Sequence, residues 1–164
     1  MAGNILLWLD GIPGESRDGL EGSHDGDVEV TTWGWGLANG AALDLKNKDV
    51  TAKPTPIDVT ITKAVDTASA TLMQRCASGE TIFGATLTCR KNAGESKIEY
   101  LVIDFQKAKV TSVKWDAGED GHITETVKLK FEIFETTYQG QDDETGAGRG
   151  YNHFGFNMPE HFKF

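Results

Sequence analysis

Cysteine, basic charge and long apolar runs are all scarce in this chain of 164 residues. The two cysteines, Cys76 and Cys89, form no Cys-x-x-Cys pair, which argues against a small disulfide scaffold. Both are expected as free, buried thiols in a reducing compartment. Lysine and arginine total 16 against 25 acidic residues, a formal charge of -9. Phosphate binding needs a basic face, and a repulsive net field opposes the approach of nucleic acid, so no such partner is expected. The apolar run Ile5 to Leu9 is too short to span a membrane or serve as a signal peptide, and no basic segment precedes it. Neither membrane insertion nor a cleaved signal is therefore expected. The expected location is the cytoplasm, unless a machine that needs no cleaved signal exports the chain.

The signatures of common active sites are missing as well. Ser16 follows Gly14-Glu15 but precedes Arg17-Asp18, which is not the Gly-x-Ser-x-Gly of a hydrolase elbow. His24, His122, His153 and His161 stand apart in expected turns or in the last segment, without Cys or carboxylate at zinc-motif spacing. The acidic stretch Asp18 to Asp27 lacks the ligand order of a calcium loop and reads as a solvated turn. Gly146-Ala147-Gly148-Arg149-Gly150 lacks the Lys-Ser/Thr of a phosphate loop. Glu119-Asp120 and Asp142-Asp143-Glu144 lie in expected turns, where solvated charge is the default. No catalytic residue, cofactor or metal is expected, and the chain reads as a non-enzyme.

What the sequence does contain is strand periodicity, at a length that suits one domain, 1–164, burying about 70% of its unfolded surface. Ile5 to Leu9 reads as a strand covered on both faces, ended by Asp10-Gly11-Ile12-Pro13-Gly14. Val28 to Trp35 reads as a second strand, with Val28 and Val30 on one face and Trp33 and Trp35 on the other. Pattern alone leaves open which face meets the core. Residues 37–55 carry few strand signals beyond a weak Ala41, Leu43, Leu45 alternation, and are expected as an extended arm. Ile57, Val59 and Ile61 mark a half-buried strand.

Between about Ala68 and Ser78 the period changes: Leu72, Met73 and Cys76 fall at helical spacing, Asp66 or Thr67 can cap the start, and Gly79 ends it. Further strands are expected over Phe83 to Arg90, Glu99 to Phe105, Val110 to Trp115 and Val127 to Ile133, with turns at Lys91 to Ser96 and Gly118 to Gly121. The fold class that follows is mainly β, an antiparallel barrel of two packed sheets with one short helix. The last segment, 139–164, opens acidic and closes with Tyr151, Phe154, Phe156, Phe162 and Phe164. It is expected to dock on its own domain or on a neighbour.

Several collinear pieces resemble one family. They are Gly14-Glu15-Ser16 with Asp18, the turn at His24, Val28 through Trp33-Gly34-Trp35-Gly36, Ile61-Thr62-Lys63-Ala64-Val65-Asp66 leading to Leu72-Met73-Gln74-Arg75-Cys76-Ala77-Ser78-Gly79, Ala85 to Lys91, Glu99 to Ile103, Gly118-Glu119-Asp120, Thr124-Glu125 and Gly155-Phe156-Asn157-Met158. Together they resemble the Hcp proteins (haemolysin-coregulated proteins), which form the inner tube of the bacterial type VI secretion system. Gly34 stands where serine is common in that family.

The resemblance implies a small β-barrel with one helix, assembled as a homohexameric ring that stacks into a tube. It also implies export by the apparatus without a cleaved signal, effectors carried in the lumen, and partners among the spike, sheath and effector proteins. A ring uses heterologous contacts, which an arm and an aromatic tail can supply. Leu37, Leu43, Leu45, Lys46, Asp49 and Val50 in the arm are the candidate contacts between subunits or rings, and Trp33 and Trp35 the anchors of the strand it leaves. Two rivals remain at this point: a carbohydrate-binding β-sandwich, whose same-face indoles stack on sugars, and a phage-type tail-tube protein.

Overall fold

The computed structural model describes residues 4–18, 24–39, 54–93, 96–141 and 148–164. In chain order the elements are β1 (Asn4–Leu9), β2 (Arg17–Asp18), β3 (His24–Asp25), β4 (Val28–Val30), β5 (Thr32–Asn39), β6 (Pro54–Ala64) and α1 (Ala68–Ser78). There follow β7 (Ile82–Ala93), β8 (Ser96–Ala117), β9 (Ile123–Lys130), β10 (Ile133–Gln141), β11 (Gly148–Asn157) and β12 (Phe162–Lys163).

The two strands expected over Glu99 to Phe105 and Val110 to Trp115 are one strand, β8, of 22 residues. Its first half lies between β7 and β10, with Ile103 opposite both Leu87 and Thr136. Its second half pairs with β9, from Lys109↔Lys130 to Ala117↔Ile123. Between the halves Lys107 has φ 53°, a left-handed conformation that turns the strand without ending it. β8 thus belongs to two antiparallel layers, ordered β12-β11-β10-β8-β7-β1-β4 and β5-β6-β9-β8.

Among the described residues the barrel is not closed by strand pairing: β4 pairs only with β1 and β5 only with β6. The gap between them is crossed by the chain itself at Thr31, whose N–H donates to the Thr62 carbonyl at 2.8 Å. That bend also corrects the reading of Val28 to Trp35 as one strand. Val28 and Val30 are buried, and beyond the bend Trp33 and Trp35 pack against the same core. Alternation shifts by one residue at Thr31, so the valines and the indoles do not compete for a single face. A second shift falls at Phe131–Glu132: Val127, Leu129 and Phe131 are buried in turn, but Phe134 rather than Ile133 continues the series.

The helix matches its expected span. Asp66 Oδ1 accepts from the Ala68 N–H at 3.0 Å, and Glu15 Oε1 from the Thr67 N–H at 3.1 Å. Gly79, at φ 68°, donates to the Arg75 carbonyl and ends the helix. Ala68 and Leu72 are buried and Cys76 is half-buried on the core, whereas Met73 faces outward. The closing segment is a hairpin arm of the sheet: β11 pairs with β10 from Ile133↔Asn157 to Gln141↔Gly148, and β12 folds back on its end.

Candidate functional site

Two buried clusters hold the layers in register. Trp35 makes edge-on contacts with Phe105, Phe131 and Phe134, at centroid distances of 5.5, 5.7 and 4.9 Å. The residues come from β5, from β8, from the β9–β10 corner and from β10, so one aromatic knot ties both layers together. The other cluster is ionic. Lys63 is 1% exposed and Glu125 0%. The Lys63 ammonium donates to Glu125 Oε2 at 2.6 Å, to Asp66 Oδ1 at 2.8 Å, to the Ala64 carbonyl and to Ser69 Oγ. Ser69 donates to Glu125 Oε2 at 2.9 Å, and Trp115 Nε1 donates to Oε1 at 2.8 Å. Burial by itself would raise the Glu125 pKa; hydrogen bonds from Lys63, Trp115 and Ser69 outweigh it and hold the carboxyl below its usual value.

A lysine 3.1 Å from a serine hydroxyl is the arrangement of a Ser–Lys nucleophile. Here the serine proton is spent on Glu125, and both side chains are sealed in the core. The cluster fastens the start of α1 to β6 and β9. Sequence reasoning passed over it, although the signal is there: Lys63 continues the buried phase of Val59 and Ile61, and Glu125 that of Val127 and Leu129.

The Gly14-Glu15-Ser16 motif has a similar structural part. A Cβ on Gly14 would lie 2.4 Å from the Asp27 carbonyl oxygen, so only glycine allows that approach. The Ser16 N–H donates to the same carbonyl at 2.9 Å. Two expectations about this region are corrected. His24 is not isolated: Nδ1 donates to Asp27 Oδ2 and Nε2 to Glu99 Oε1, each at 2.7 Å. Burial alone would lower its pKa, and the bonds to Glu99 and Asp27 more than reverse this, so the net shift is upward. The stretch is also not wholly solvated, since Asp27 is buried beneath the ring. His153 likewise pairs with Glu135. Burial pushes the Cys89 thiol up, against bonds with Trp33 and Tyr100 that lower it, as expected of an inert core thiol.

Of the arm candidates, Leu37 lies near the end of β5, exposed and opposite Pro56. Leu43, Leu45, Lys46, Asp49 and Val50 lie outside the described residues. The base of the arm is a continuing ladder, with Asn39 opposite Pro54. Trp33 and Trp35 are partly buried and pack on the core, so this pair is not an open platform on which a sugar would stack; the exposed indoles are Trp8 and Trp115. Among the described residues no group of three or more His, Cys, Asp or Glu could hold a metal, and no helix is long and apolar enough to cross a membrane.

Comparison with known proteins supplies the family. The family described as "Type VI secretion system effector, Hcp" matches residues 6–138. The chain belongs to the Hcp family. It is similar to "Protein hcp1" of Pseudomonas aeruginosa, 29% identical over 159 residues and 96% of each chain. The crystal structure of Hcp1 from Salmonella typhimurium covers 100% of both chains, with a TM-score of 0.80 and 28% identity. A structure described as that of a type six secretion system protein has the same fold, with a TM-score of 0.89, 23% identity, and coverage of 99% of this chain and 100% of that one. As an Hcp protein the chain is a tube protein of type VI secretion, a family of structural proteins and not of enzymes.

Proposed function

We propose that the protein forms homohexameric rings, that the rings stack into a tube, and that the tube is exported without a cleaved signal and carries effectors in its lumen. The observation that carries this reading is the Hcp family match over residues 6–138. In it the work is mechanical: the wall bears load and encloses cargo, and the two buried clusters keep each wall element rigid. Its partners are further copies of itself and the spike, sheath and effector proteins. The arm, with Leu37, Leu43, Leu45, Lys46, Asp49 and Val50, makes contacts between subunits or rings, and Trp33 and Trp35 anchor the strand from which it leaves.

Light scattering coupled to size exclusion tests the ring. Six chains of 17.8 kDa give about 107 kDa. A monomer at every concentration would sink the proposal. Deleting Ala41 to Asp49 should leave the barrel folded and shift the ring to smaller species; an unchanged hexamer would remove the arm from the interface.

A further inference from the structure

The layer β5-β6-β9-β8 puts Val59, Ile61, Val127 and Leu129 in the core, so the residues that alternate with them face outward. Two rows cross that outer face. Ser112, Lys128, Thr60 and Gly34 stand side by side in one, and Lys114, Thr126, Thr62 and Thr32 in the next. Lys109 and Lys130 face each other at the end nearer the bend of β8. Apart from lysine, every side chain in the two rows is a small hydroxyl.

Four exposed lysines therefore share this face with two carboxylates, Asp58 and Asp116, in a chain whose formal charge is -9. Asp116 is already paired with Lys114 at 3.1 Å. Among the described residues Lys109, Lys128 and Lys130 make no ion pair. Facing like charges destabilise a sheet, so an anion brought from outside relieves the Lys109–Lys130 pair. Lys128 adds a third ammonium about 7 Å along the strand from Lys130.

The make-up of the face selects among anions. A phosphate backbone is best gripped by arginine, whose planar fork binds two oxygens, and bases by stacked aromatic rings; the two rows hold neither. Lysine is a compact point charge on a flexible stem, suited to carboxylates whose positions vary. Hydroxyl rows without a large apolar anchor supply no hot spot, so a partner is held by charge and released easily. At physiological salt the screening length is about 8 Å. The lysines then act on a partner at contact, while the acidic remainder of the chain is largely screened.

We propose that the outer face of β6, β9 and the far half of β8 is a docking surface for acidic protein, engaged through Lys109, Lys128 and Lys130. Equating that protein with the passengers of a tube rests on the ring reading above; the binding itself does not.

Fluorescence anisotropy of a labelled oligoglutamate peptide tests it. The peptide should bind the unaltered protein, and added salt should weaken it. Lys128→Glu with Lys130→Glu should weaken binding roughly tenfold or more, with the melting temperature kept. Gly34→Glu should act in the same direction without touching a lysine, since Gly34 is exposed and a Cβ there would meet nothing within 4 Å. Lys97→Glu with Lys163→Glu, at exposed positions on other strands, changes the net charge equally and should have little effect. No binding, or equal losses from the two lysine pairs, would overturn the surface. Oligothymidylate bound as tightly through the same lysines would overturn the assignment to protein. Light scattering on the same samples reads the ring separately: a monomer that binds the peptide through these lysines loses the ring and keeps the face, and a hexamer that ignores the peptide does the reverse.

Discussion

The two buried clusters solve the same problem with opposite physics. Around Trp35 the layers are joined by dispersion and the exclusion of water, and any well-shaped apolar replacement recovers part of the contact. Around Lys63 and Glu125 the join is ionic, and every donor there has a named acceptor. Such a network is brittle: taking away one partner strands a charge in the core. The aromatic knot tolerates drift and the ionic one does not, so register between α1, β6 and β9 is set more sharply than the spacing of the layers at the corner.

The largest expected effect breaks the ionic side. Lys63→Met should cost about 3–5 kcal/mol in chemical denaturation, because Glu125 is left buried without its cation. Adding Glu125→Leu should return most of that loss; a double variant no better than Lys63→Met would show that packing and not charge dominates. On the aromatic side, Trp35→Ala should cost about 2–4 kcal/mol, toward the low end for a buried tryptophan because the ring is only half covered. Trp35→Phe should cost much less, since it removes an indole N–H that has no hydrogen-bond partner.

Acid separates the two clusters further. The Glu125 pKa is lower folded than unfolded, so its contribution is full above the unfolded value, about 4.3, and is lost as pH falls through the folded one. Melts from pH 5 downward should lose this contribution in the natural protein and not in the Lys63→Met/Glu125→Leu variant. The smallest effect belongs to His24, an ionic pair nearer the surface. Its pKa is raised, so its stabilisation is present below the unfolded value, about 6.5, and fades as pH rises through the folded one. His24→Gln should flatten that part of the stability profile; an unchanged slope would assign it to another group.

Much of this was legible in the sequence, and the failures share a cause. Periodicity finds residues that alternate, so the helix and the runs around Val59, Leu87, Ile103 and Leu129 were readable. It cannot see a bend that shifts the phase, as at Thr31 and Phe131–Glu132, nor a residue such as Lys107 that turns a strand without ending it. Those bends are tertiary: they arise because β8 and its neighbours serve two layers. The ionic cluster was written in phase with the core, but a lysine and a glutamate far apart in sequence give no sign that they meet. The pairings of His24 and His153 are also products of the fold. The motif residues that marked the family prove structural here, with Gly14 seated against Asp27 and Lys63 and Asp66 fastening the helix.

The pairing of β1 has a consequence in time. From β7 onward the sheet grows mainly by joining strands close in sequence, which can form soon after each is made. β1 instead needs β7, with Ile5 opposite Cys89 and Leu9 opposite Ala85, and β7 leaves the ribosome roughly 5–15 s later at ordinary rates of synthesis. During that interval β1 has β4 on one side, with Leu7 opposite Val28, but lacks β7 on the other. The nascent chain therefore passes through a stage in which one edge of β1 is still open and in need of shelter.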